Sequence, residues 1–407
     1  MILRILVNTA NLNINNQTVR VLRVYNRNIP AGITEAEFTQ KGGVLAGSGA
    51  GTFGELAPGS AGQYLTPDTA EPLGLKWETP TVTVDDTTNH LMNGGFIFAQ
   101  RQTPGTLTTI TDGSYGPDRW KMTRENADLQ YIRVDGSSES GLISPYYGQF
   151  KKITNAGKLL ICQPLEYLDT LKFRGKVLNF QLQMKASASK TIKIAIVELQ
   201  SGGTADTLPT LVSAWGADGT DPTLGANLAT IGTPISCSVT TAWQVFQFTG
   251  TFPATSKNLL VMVWSNADFA ANDTLSLAEV GLYFGESQRS WTPRPIAQEV
   301  ALCKRYYQKS YNVNTAPATA TLQGGIDTHS PIAGTGAWYK HVDIIEMRTV
   351  PTVKSWDNLG ASEKVFKGAA GKTSAYGSHS PSRIFVGTTD ATSATELFFH
   401  FSADAEL

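Results

Sequence analysis

Apolar and polar residues alternate along much of the chain. In Val177–Ala186 every second side chain is large and apolar: Leu178, Phe180, Leu182 and Met184. This alternation predicts a strand with one face in a core and the other in water. Residues 243–248 and 259–264 are apolar on both faces, which is typical of central strands covered on two sides.

One stretch, residues 291–307, departs from this pattern. Apolar residues recur there at helical spacing: Ile296, Val300, Cys303 and Tyr307. They predict a helix with one apolar face. Pro293 and Pro295 fit an extended approach followed by a first helical turn, where a missing backbone N–H costs nothing. The helix fits two placements equally, as a clasp between two β domains or as a cap on one sandwich.

Turn signals and composition divide the chain into five segments. Short strands at residues 2–7 and 18–24 predict an N-terminal hairpin, and residues 42–62 are too rich in glycine to pack a core without support from neighbouring chains. The strands after residue 93 predict an antiparallel jelly-roll sandwich, followed by the linking helix and a C-terminal β-sandwich. The fold class is therefore all-β. The predicted segments are 1–41, 42–92, 93–290, 291–310 and 311–407.

Composition narrows the functions open to the chain. It has 407 residues, a formal net charge of −1 and 16% charged residues, which predicts binding neither to nucleic acid nor to an anionic membrane. Cys162, Cys237 and Cys303 are too far apart in sequence for a metal cluster or a disulfide framework, and we expect them to be buried. No apolar run approaches the ~20 residues of a membrane span, and no signal-peptide core opens the chain. These features predict synthesis in the cytoplasm without membrane insertion.

Several segments resemble bacteriophage tail fibres and related virion proteins. The helical stretch resembles a segment that in such proteins follows a carbohydrate-binding-like sandwich, at these positions: Trp291, Pro293, Arg294, Pro295, Leu302, Cys303, Arg305, Tyr306 and Tyr307. Residues 43–77 resemble the glycine-rich start of phage fibres, and residues 397–407 resemble the terminal strand of their tip domains. A further set of residues resembles the opening of a carbohydrate-binding module: Asn93, Gly94, Gly95, Phe96, Gln100, Arg101, Asp118, Arg119 and Trp120.

The resemblance implies a structural virion protein that recognises a host surface. Residues 1–41 would bind tail, baseplate or neck proteins, residues 42–92 would form the stalk of a homotrimer, and residues 311–407 would lie at the distal tip. The implied partner is a bacterial surface glycan or protein, contacted through loops such as 355–362 and 369–382. Such a virion protein is assembled in the host cytoplasm and released by lysis. A head or neck fibre with mainly architectural duty has the same sequence signature.

The last strand is apolar on both faces. Phe399 and Phe401 lie on one face, and Phe398 and His400 lie on the other. An exposed strand of this kind aggregates. We therefore expect it to be buried between subunits, in line with the homotrimer that the resemblance implies.

Three aromatic residues are candidates for sugar binding. Glycan sites need flat rings that stack on sugar C–H faces, surrounded by neutral hydrogen-bonding groups. Tyr146 and Tyr147 follow a proline in a turn-rich stretch, and Trp215 lies in the loop Ala-Trp-Gly-Ala-Asp-Gly. The alternative is that all three are ordinary half-buried aromatic residues without a ligand.

Signals for catalysis are weak. The sequence lacks H-E-x-x-H and G-x-S-x-G motifs and the regular β-helix rungs on which many depolymerase spikes build their sites. A carboxylate pair for glycoside cleavage could come from Asp85, Asp86, Glu166 and Asp169. The prediction is a protein without catalytic residues, and the alternative is a polysaccharide-degrading tailspike.

No cofactor or metal is predicted. Gly49, Gly51 and Gly54 match the spacing of a dinucleotide-binding loop, but no predicted strand leads into them and no predicted helix follows. Asp218 and Asp221 could contact calcium, yet two acids fall short of the about six oxygens that this ion requires. A solvated turn is the favoured interpretation.

Overall fold

The computed structural model of the protein describes residues 6–14, 17–25, 38–49, 51–79, 87–126, 128–334, 337–368 and 370–407. These residues form antiparallel sheets with two short α-helices, which confirms the all-β prediction. Contacts divide the chain into two compact units, Met1–Val84 and Asp85–Leu407. The finer segment boundaries stay predictions.

The first unit contains β-hairpins. Its strands are β1 Leu6–Ile14, β2 Gln17–Tyr25, β3 Val44–Gly49, β4 Thr52–Leu56, β5 Tyr64–Pro67 and β6 Leu75–Glu78. β1 pairs with β2, β3 with β4 and β5 with β6. The N-terminal hairpin is confirmed, but its first strand continues to Ile14, through residues that were predicted to lie between the two strands. Residues 2–5 of the predicted strand lie outside the described residues. The glycines with dinucleotide-like spacing fall in the β3–β4 hairpin.

The second unit begins with a sandwich. Its strands are β7 Thr108–Ile110, β8 Ser114–Tyr115, β9 Lys121–Arg124, β10 Leu129–Asp135, β11 Tyr146–Lys152, β12 Leu159–Pro164, β13 Val177–Ala186, β14 Lys190–Leu199, β15 Val212–Ala214, β16 Thr223–Leu224, β17 Leu228–Thr230, β18 Ile235–Val239, β19 Gln244–Thr251, β20 Leu259–Ser265 and β21 Thr274–Phe284. Helix α1, Tyr167–Thr170, and a 3-10 turn, Leu171–Phe173, follow β12.

Two sheets face each other across one core. The first has the order β19-β13-β21-β11-β10-β7, and the second has the order β17-β14-β20-β12-β9-β8, with β18 also paired to β14. Buried apolar side chains from both sheets form a single cluster, which includes Phe150 and Phe180 from the first and Ile194 and Val263 from the second. This arrangement confirms the predicted sandwich.

Burial along the strands confirms one prediction and corrects two others. β20 is buried along its whole length between β12 and β14, as predicted. In β13, Leu178 and Phe180 face the core, but the opposite face is not in water as expected: Asn179 and Gln181 are buried, because their side-chain amides bond the backbone of residues 287 and 289. Residues 243–248 were expected in a central strand, but β19 is the edge strand of its sheet and Val245 is 44% exposed. The prediction failed because a local apolar pattern does not fix the order of strands, and Val245 lies on the outer face of the sheet, away from the core.

Helix α2 spans Ile296–Lys304, within the predicted stretch, and Pro295 is its N-cap residue. The predicted apolar face is partly wrong. Ile296 is 65% exposed, Tyr307 lies in the next strand, and Glu299 is buried beside Cys303. Glu299 is buried because its carboxylate accepts hydrogen bonds from groups elsewhere in the chain.

The helix lies between the two β portions of the second unit. Arg305, its C-cap residue, binds Glu166 of the sandwich with two hydrogen bonds of 2.9 Å. The backbone carbonyl of Arg305 accepts a hydrogen bond from the Arg348 N–H of the C-terminal portion. These contacts on both sides match the clasp, one of the two placements that the sequence left open.

The C-terminal portion has nine strands among the described residues. They are β22 Tyr307–Lys309, β23 Ile326–Gly334, β24 Trp338–Asp343, β25 Thr352–Trp356, β26 Lys364–Lys367, β27 Ala370–Thr373, β28 Ala375–Tyr376, β29 Arg383–Thr388 and β30 Ala394–Asp404. β24, β29 and β28 form a three-stranded sheet, and the other strands form a sheet around β30. Ile384 and Val386 of β29 share a second core with Leu397 and Phe399 of β30.

The last strand is covered by its own chain. β30 pairs with β22, β23, β25 and β26, and Phe399 and His400 are both fully buried. The ring of Tyr311 stacks on that of His400, with centroids 3.8 Å apart. The expectation of burial between subunits is therefore wrong, because neighbouring strands of one copy supply the cover. The homotrimer stays a prediction that rests on the resemblance and the glycine-rich segment.

Candidate functional site

Tyr146 and Tyr147 open strand β11 and, as neighbours in a strand, point to opposite faces of its sheet. Tyr147 is 5% exposed, and its ring meets that of Trp243 edge-on with centroids 5.2 Å apart. Tyr146 is half-buried, with the guanidinium carbon of Arg133 4.5 Å from its ring centre. The two tyrosines therefore do not form one stacking surface.

Trp215 lies in the loop between β15 and β16, half-buried against the sandwich core. Lys158 holds this loop, because its fully buried side chain donates hydrogen bonds to three successive backbone carbonyls. The distances from Lys158 Nζ are 2.9 Å to Trp215 O, 3.1 Å to Gly216 O and 2.6 Å to Ala217 O. The structure thus does not bring the three predicted aromatic residues together.

Trp243 is the half-buried indole at the edge of the six-stranded sheet. Its N–H donates to Glu139 Oε2 at 3.0 Å, and Lys185 Nζ pairs with Glu139 Oε1 at 2.5 Å. The same ammonium lies 4.9 Å from the Trp243 ring centre and 5.0 Å from that of Tyr147, within cation–π range. The hydrogen bond from Lys185 lowers the pKa of Glu139. The ion pair and the two rings fix the indole in place.

A β-bulge directs Glu279 beneath the loop between β10 and β11. The pairing of β13 with β21 shifts register between Gln181 and Gln183, and Glu279 has a φ of 53°, which is uncommon for a residue with a side chain. Its carboxylate accepts hydrogen bonds from the Ile143 and Ser144 N–H groups and from the Gln183 amide. This residue anchors the loop over the sheet.

A groove of about 170 Å³ lies on the outer face of the six-stranded sheet, between this loop and residues 288–291. Gln181, Gln183 and Glu279 contribute polar groups to it. Ile143 and Val245 border it and are 62% and 44% exposed. Amide groups beside apolar surface are suited to sugar hydroxyls and C–H faces. We call this feature the sheet groove.

Of the four acidic residues considered for catalysis, Asp85 and Asp86 lie outside the described residues. Burial opposes ionisation of Glu166, yet its hydrogen bonds from Arg305 leave its pKa lowered. Asp169 lies on helix α1, and burial raises its pKa. Glu166 is therefore occupied by the ion pair that ties the end of helix α2 to the sandwich.

The two acids considered for calcium form hydrogen bonds within the fold. Asp218 accepts the Asp268 N–H at 2.8 Å, and Asp221 accepts the indole N–H of Trp264 at 3.0 Å. Within the described part of the chain, no group of three His, Cys, Asp or Glu side chains is placed to hold a metal. The three cysteines are buried, as predicted. No helix of the described residues is long and apolar enough to cross a membrane.

Residues that carry the sequence resemblance meet in a buried ionic node. The Arg119 guanidinium binds the Glu406 carboxylate and, at 2.6 Å, the Pro164 carbonyl. The guanidinium carbon lies 3.4 Å from the ring centre of Tyr306. The opening of the sandwich, the end of the helical stretch and the final strand segment therefore touch one another here.

Arg101 extends this node. It binds Asp404 at 3.0 Å and Glu406 at 3.4 Å, and its guanidinium carbon lies 3.8 Å from the ring centre of Tyr307. Burial alone would lower the pKa of Arg101 and Arg119, but the facing carboxylates leave both pKa values raised. Both arginines therefore keep their charge in the buried node.

Asn93 forms a second structural corner, with a φ of 53°. Its side-chain amide donates to the carbonyls of Phe98 at 2.7 Å and Asp118 at 2.9 Å, and the Trp120 indole donates to its backbone carbonyl at 3.1 Å. Its N–H donates to the Glu299 carboxylate of helix α2. The opening motif thus organises the fold, and none of these atoms is free for a ligand.

The sequence did not single out Glu279, which lines the sheet groove, or the hydrogen-bonded pair Trp243 and Glu139. In the sequence, Trp243 belongs to an apolar stretch that predicts a strand. Its position in the fold depends on β19 being an edge strand of the sheet. Glu279 interrupts an apolar strand with a charge, which is the one local signal that could have drawn attention to it. Glu139 carries no such signal, because it is one acid in a polar turn.

No protein-family model matches the chain, and no curated protein matches it significantly. Among solved structures, the enzymatically active domain of tailspike protein 4 of bacteriophage CBA120 is 10% identical, with a TM-score of 0.32, over 48% of this chain and 21% of that one. TmCBM61 in complex with β-1,4-galactotriose is 13% identical, with a TM-score of 0.29, over 49% of this chain and 99% of that one. The CBM22-1 xylan-binding domain of Paenibacillus barcinonensis Xyn10C is 12% identical, with a TM-score of 0.26, over 46% and 99%. At these values the similarity carries no argument about what this chain binds.

Proposed function

We propose that the chain is a bacteriophage fibre protein whose sandwich binds a bacterial surface glycan in the sheet groove. The observation that carries the glycan part is the groove itself. Its polar lining includes the side chains of Gln181, Gln183, Glu279 and Arg289, and its borders are exposed aliphatic side chains. The two amides and the carboxylate also form hydrogen bonds within the fold, which fix their positions. Sugar recognition needs this mixture of neutral hydrogen bonding and apolar contact.

The fibre part of the proposal is supported by the sequence resemblance. Its residues lie in segments far apart in sequence, yet Arg119 contacts both Tyr306 and Glu406 in the ionic node. Segments that carry the resemblance are therefore in contact within one compact unit. In the proposed assembly, residues 1–41 attach to the virion, residues 42–92 form the stalk of a homotrimer, and weak glycan sites act together through multivalency.

The proposed role is binding without hydrolysis. Among the candidate acids in the described residues, Glu166 has the most buried carboxylate. That carboxylate accepts two hydrogen bonds from Arg305. A polysaccharide-degrading tailspike would instead release reducing ends from its substrate. A head or neck fibre would carry the same fold but would not need the groove for adsorption.

Affinity electrophoresis through gels that contain purified bacterial surface polysaccharides tests the groove. The full chain should be retarded by at least one polysaccharide, and Ile143→Asp, which places a charge at the groove border, should lose the retardation. Ile235→Asp is the matched control, because Ile235 is 41% exposed on β18 of the other sheet. Equal retardation of all three proteins, or retardation of none, contradicts the proposal. Release of reducing ends during the same incubation would favour the tailspike.

A further inference from the structure

A second cavity, of about 410 Å³, lies in the second unit at the ionic node. Part of its lining comes from one face of the neighbouring strands β25 and β30. The pairing register places Lys354 opposite Ser402 and Thr352 opposite Asp404, so these four side chains share that face. Arg101 also lines the cavity. The volume falls in the range of about 300–1,000 Å³ typical of small-molecule sites.

The carboxylates of the node have cationic partners within the fold. Three cations and three carboxylates are associated there: Arg101, Arg119, Lys309, Asp118, Asp404 and Glu406. Lys354 is additional to this set. Its side chain is exposed to solvent, and no ion pair joins it to another of the described residues. An anionic group that enters the cavity can therefore pair with this ammonium.

The groups around Lys354 restrict what that anion can belong to. Ser402 and Thr352 offer hydroxyls, and the Asp404 carboxylate keeps 40% of its side-chain surface exposed although it binds Arg101. Trp356, two positions beyond Lys354 on β25, also lines the cavity. A matching ligand carries a carboxylate for Lys354, hydroxyls for the polar groups and C–H surface for the indole.

We propose that this cavity is a binding site for an acidic sugar of the uronic acid type, with its carboxylate paired to Lys354. The site is separate from the sheet groove and shares no residue with it. It would give the chain a second glycan contact with a different chemical preference, for charged instead of neutral sugars.

Saturation-transfer NMR on the full chain tests this assignment, with sodium galacturonate, galactose and sodium acetate as probes. Galacturonate should bind about tenfold more tightly than either galactose, which lacks the carboxylate, or acetate, which lacks the ring. Lys354→Met should weaken galacturonate binding about tenfold, and Lys354→Arg should keep most of it. Binding should also weaken as salt is added, because an exposed ammonium pairs with the ligand.

Two controls keep the result interpretable. Lys176→Met removes an exposed ammonium from the sandwich and should leave galacturonate binding unchanged. Ile143→Asp damages the sheet groove and should also leave it unchanged, so failure of the groove and failure of the cavity are distinguishable. The proposal is overturned if galactose or acetate binds as tightly as galacturonate, if the full chain binds none of the probes, or if folded Lys354→Met binds galacturonate like the unaltered chain.

Discussion

Glu406 accepts a hydrogen bond from Arg119 across 287 positions of sequence. The side chains of Arg119 and Glu406 are only 1% and 4% exposed, so the pair is removed from water. Buried charges are tolerated when they are paired and hydrogen-bonded. Together with the ion pairs of Arg101, this contact joins the sandwich to the last segment of the chain within one compact unit.

Removal of one partner from this pair should be strongly destabilising. Glu406→Ala leaves the Arg119 guanidinium buried without its carboxylate, and we expect the free energy of unfolding to fall by about 3–5 kcal/mol. Urea unfolding followed by tryptophan fluorescence measures the change. Glu286→Ala, at an exposed acid, should stay within about 0.5 kcal/mol of the unaltered protein. A loss for Glu406→Ala no larger than for Glu286→Ala would contradict the role of the pair.

Stability should depend on pH through His400. Its buried ring has Nδ1 at 3.1 Å from Ser310 Oγ and Nε2 at 3.0 Å from Thr321 O, and burial lowers its pKa below the ordinary 6.5. Below pH 6.5 the unfolded chain therefore binds a proton that the native chain does not, so this contribution is complete above pH 6.5 and is lost as the pH falls.

Unfolding free energies measured between pH 5 and pH 8 test this dependence. His400→Gln should flatten the decrease below about pH 6.5, because the group that titrates is gone. His329→Gln is the control, since the His329 side chain is 63% exposed. A pH profile of His400→Gln parallel to that of the unaltered protein would rule His400 out as the source.

At position 279 a glycine variant should be more stable than an alanine variant, the reverse of the usual order inside a strand. Both replacements lose the carboxylate that holds Ile143 and Ser144, but alanine must also adopt the φ of 53°. Glycine reaches this conformation without strain, so we expect Glu279→Gly to be about 1 kcal/mol more stable than Glu279→Ala. Thermal unfolding of the two variants gives the difference. Greater stability of the alanine variant, as usual inside a strand, would show that the bulge relaxes.

Trp243 and Trp215 should differ in their effect on glycan binding. Trp243→Ala removes the indole that packs against Tyr147 and binds Glu139 beside the sheet groove, and we expect binding to fall about tenfold or more. Trp215→Ala changes a loop elsewhere on the sandwich and should leave the affinity unchanged in protein that remains folded. The electrophoretic assay reports both. Loss of binding in Trp215→Ala alone would move the site to that loop.

The oligomeric state should depend on the first unit. β30 is covered by its own chain, so residues 85–407 do not need a partner to bury it. We expect residues 85–407 to be monomeric and folded in multi-angle light scattering, and the full chain to have a mass near three copies. A monomeric full chain would remove the proposed stalk, and a trimeric shorter chain would place the contact in the second unit.

Local patterns predicted the features that depend on local sequence. The alternation in β13 marks its core-facing side chains, and the uninterrupted apolar run in β20 marks a fully covered strand, as observed. The local pattern did not show that Asn179 and Gln181 of β13 are also buried, because the segment that covers them, residues 287–289, is distant in sequence. The order of strands is not local, so β19 was assigned to the sheet centre although it lies at the edge.

The same limit applies to the candidate site. Tyr147 was named from its sequence context, but its partners Trp243 and Lys185 lie on other strands. Burial of Glu299 could not be predicted either, because an acid is buried only where donors such as the Arg294 guanidinium and the distant Asn93 N–H converge on it.

The Lys158 ammonium occupies the centre of three carbonyl oxygens, a position that a bound metal ion fills in many loops. Here the cation belongs to the polypeptide. The shape of the Trp215 loop therefore does not depend on a bound metal ion, and a chelator should leave it unchanged.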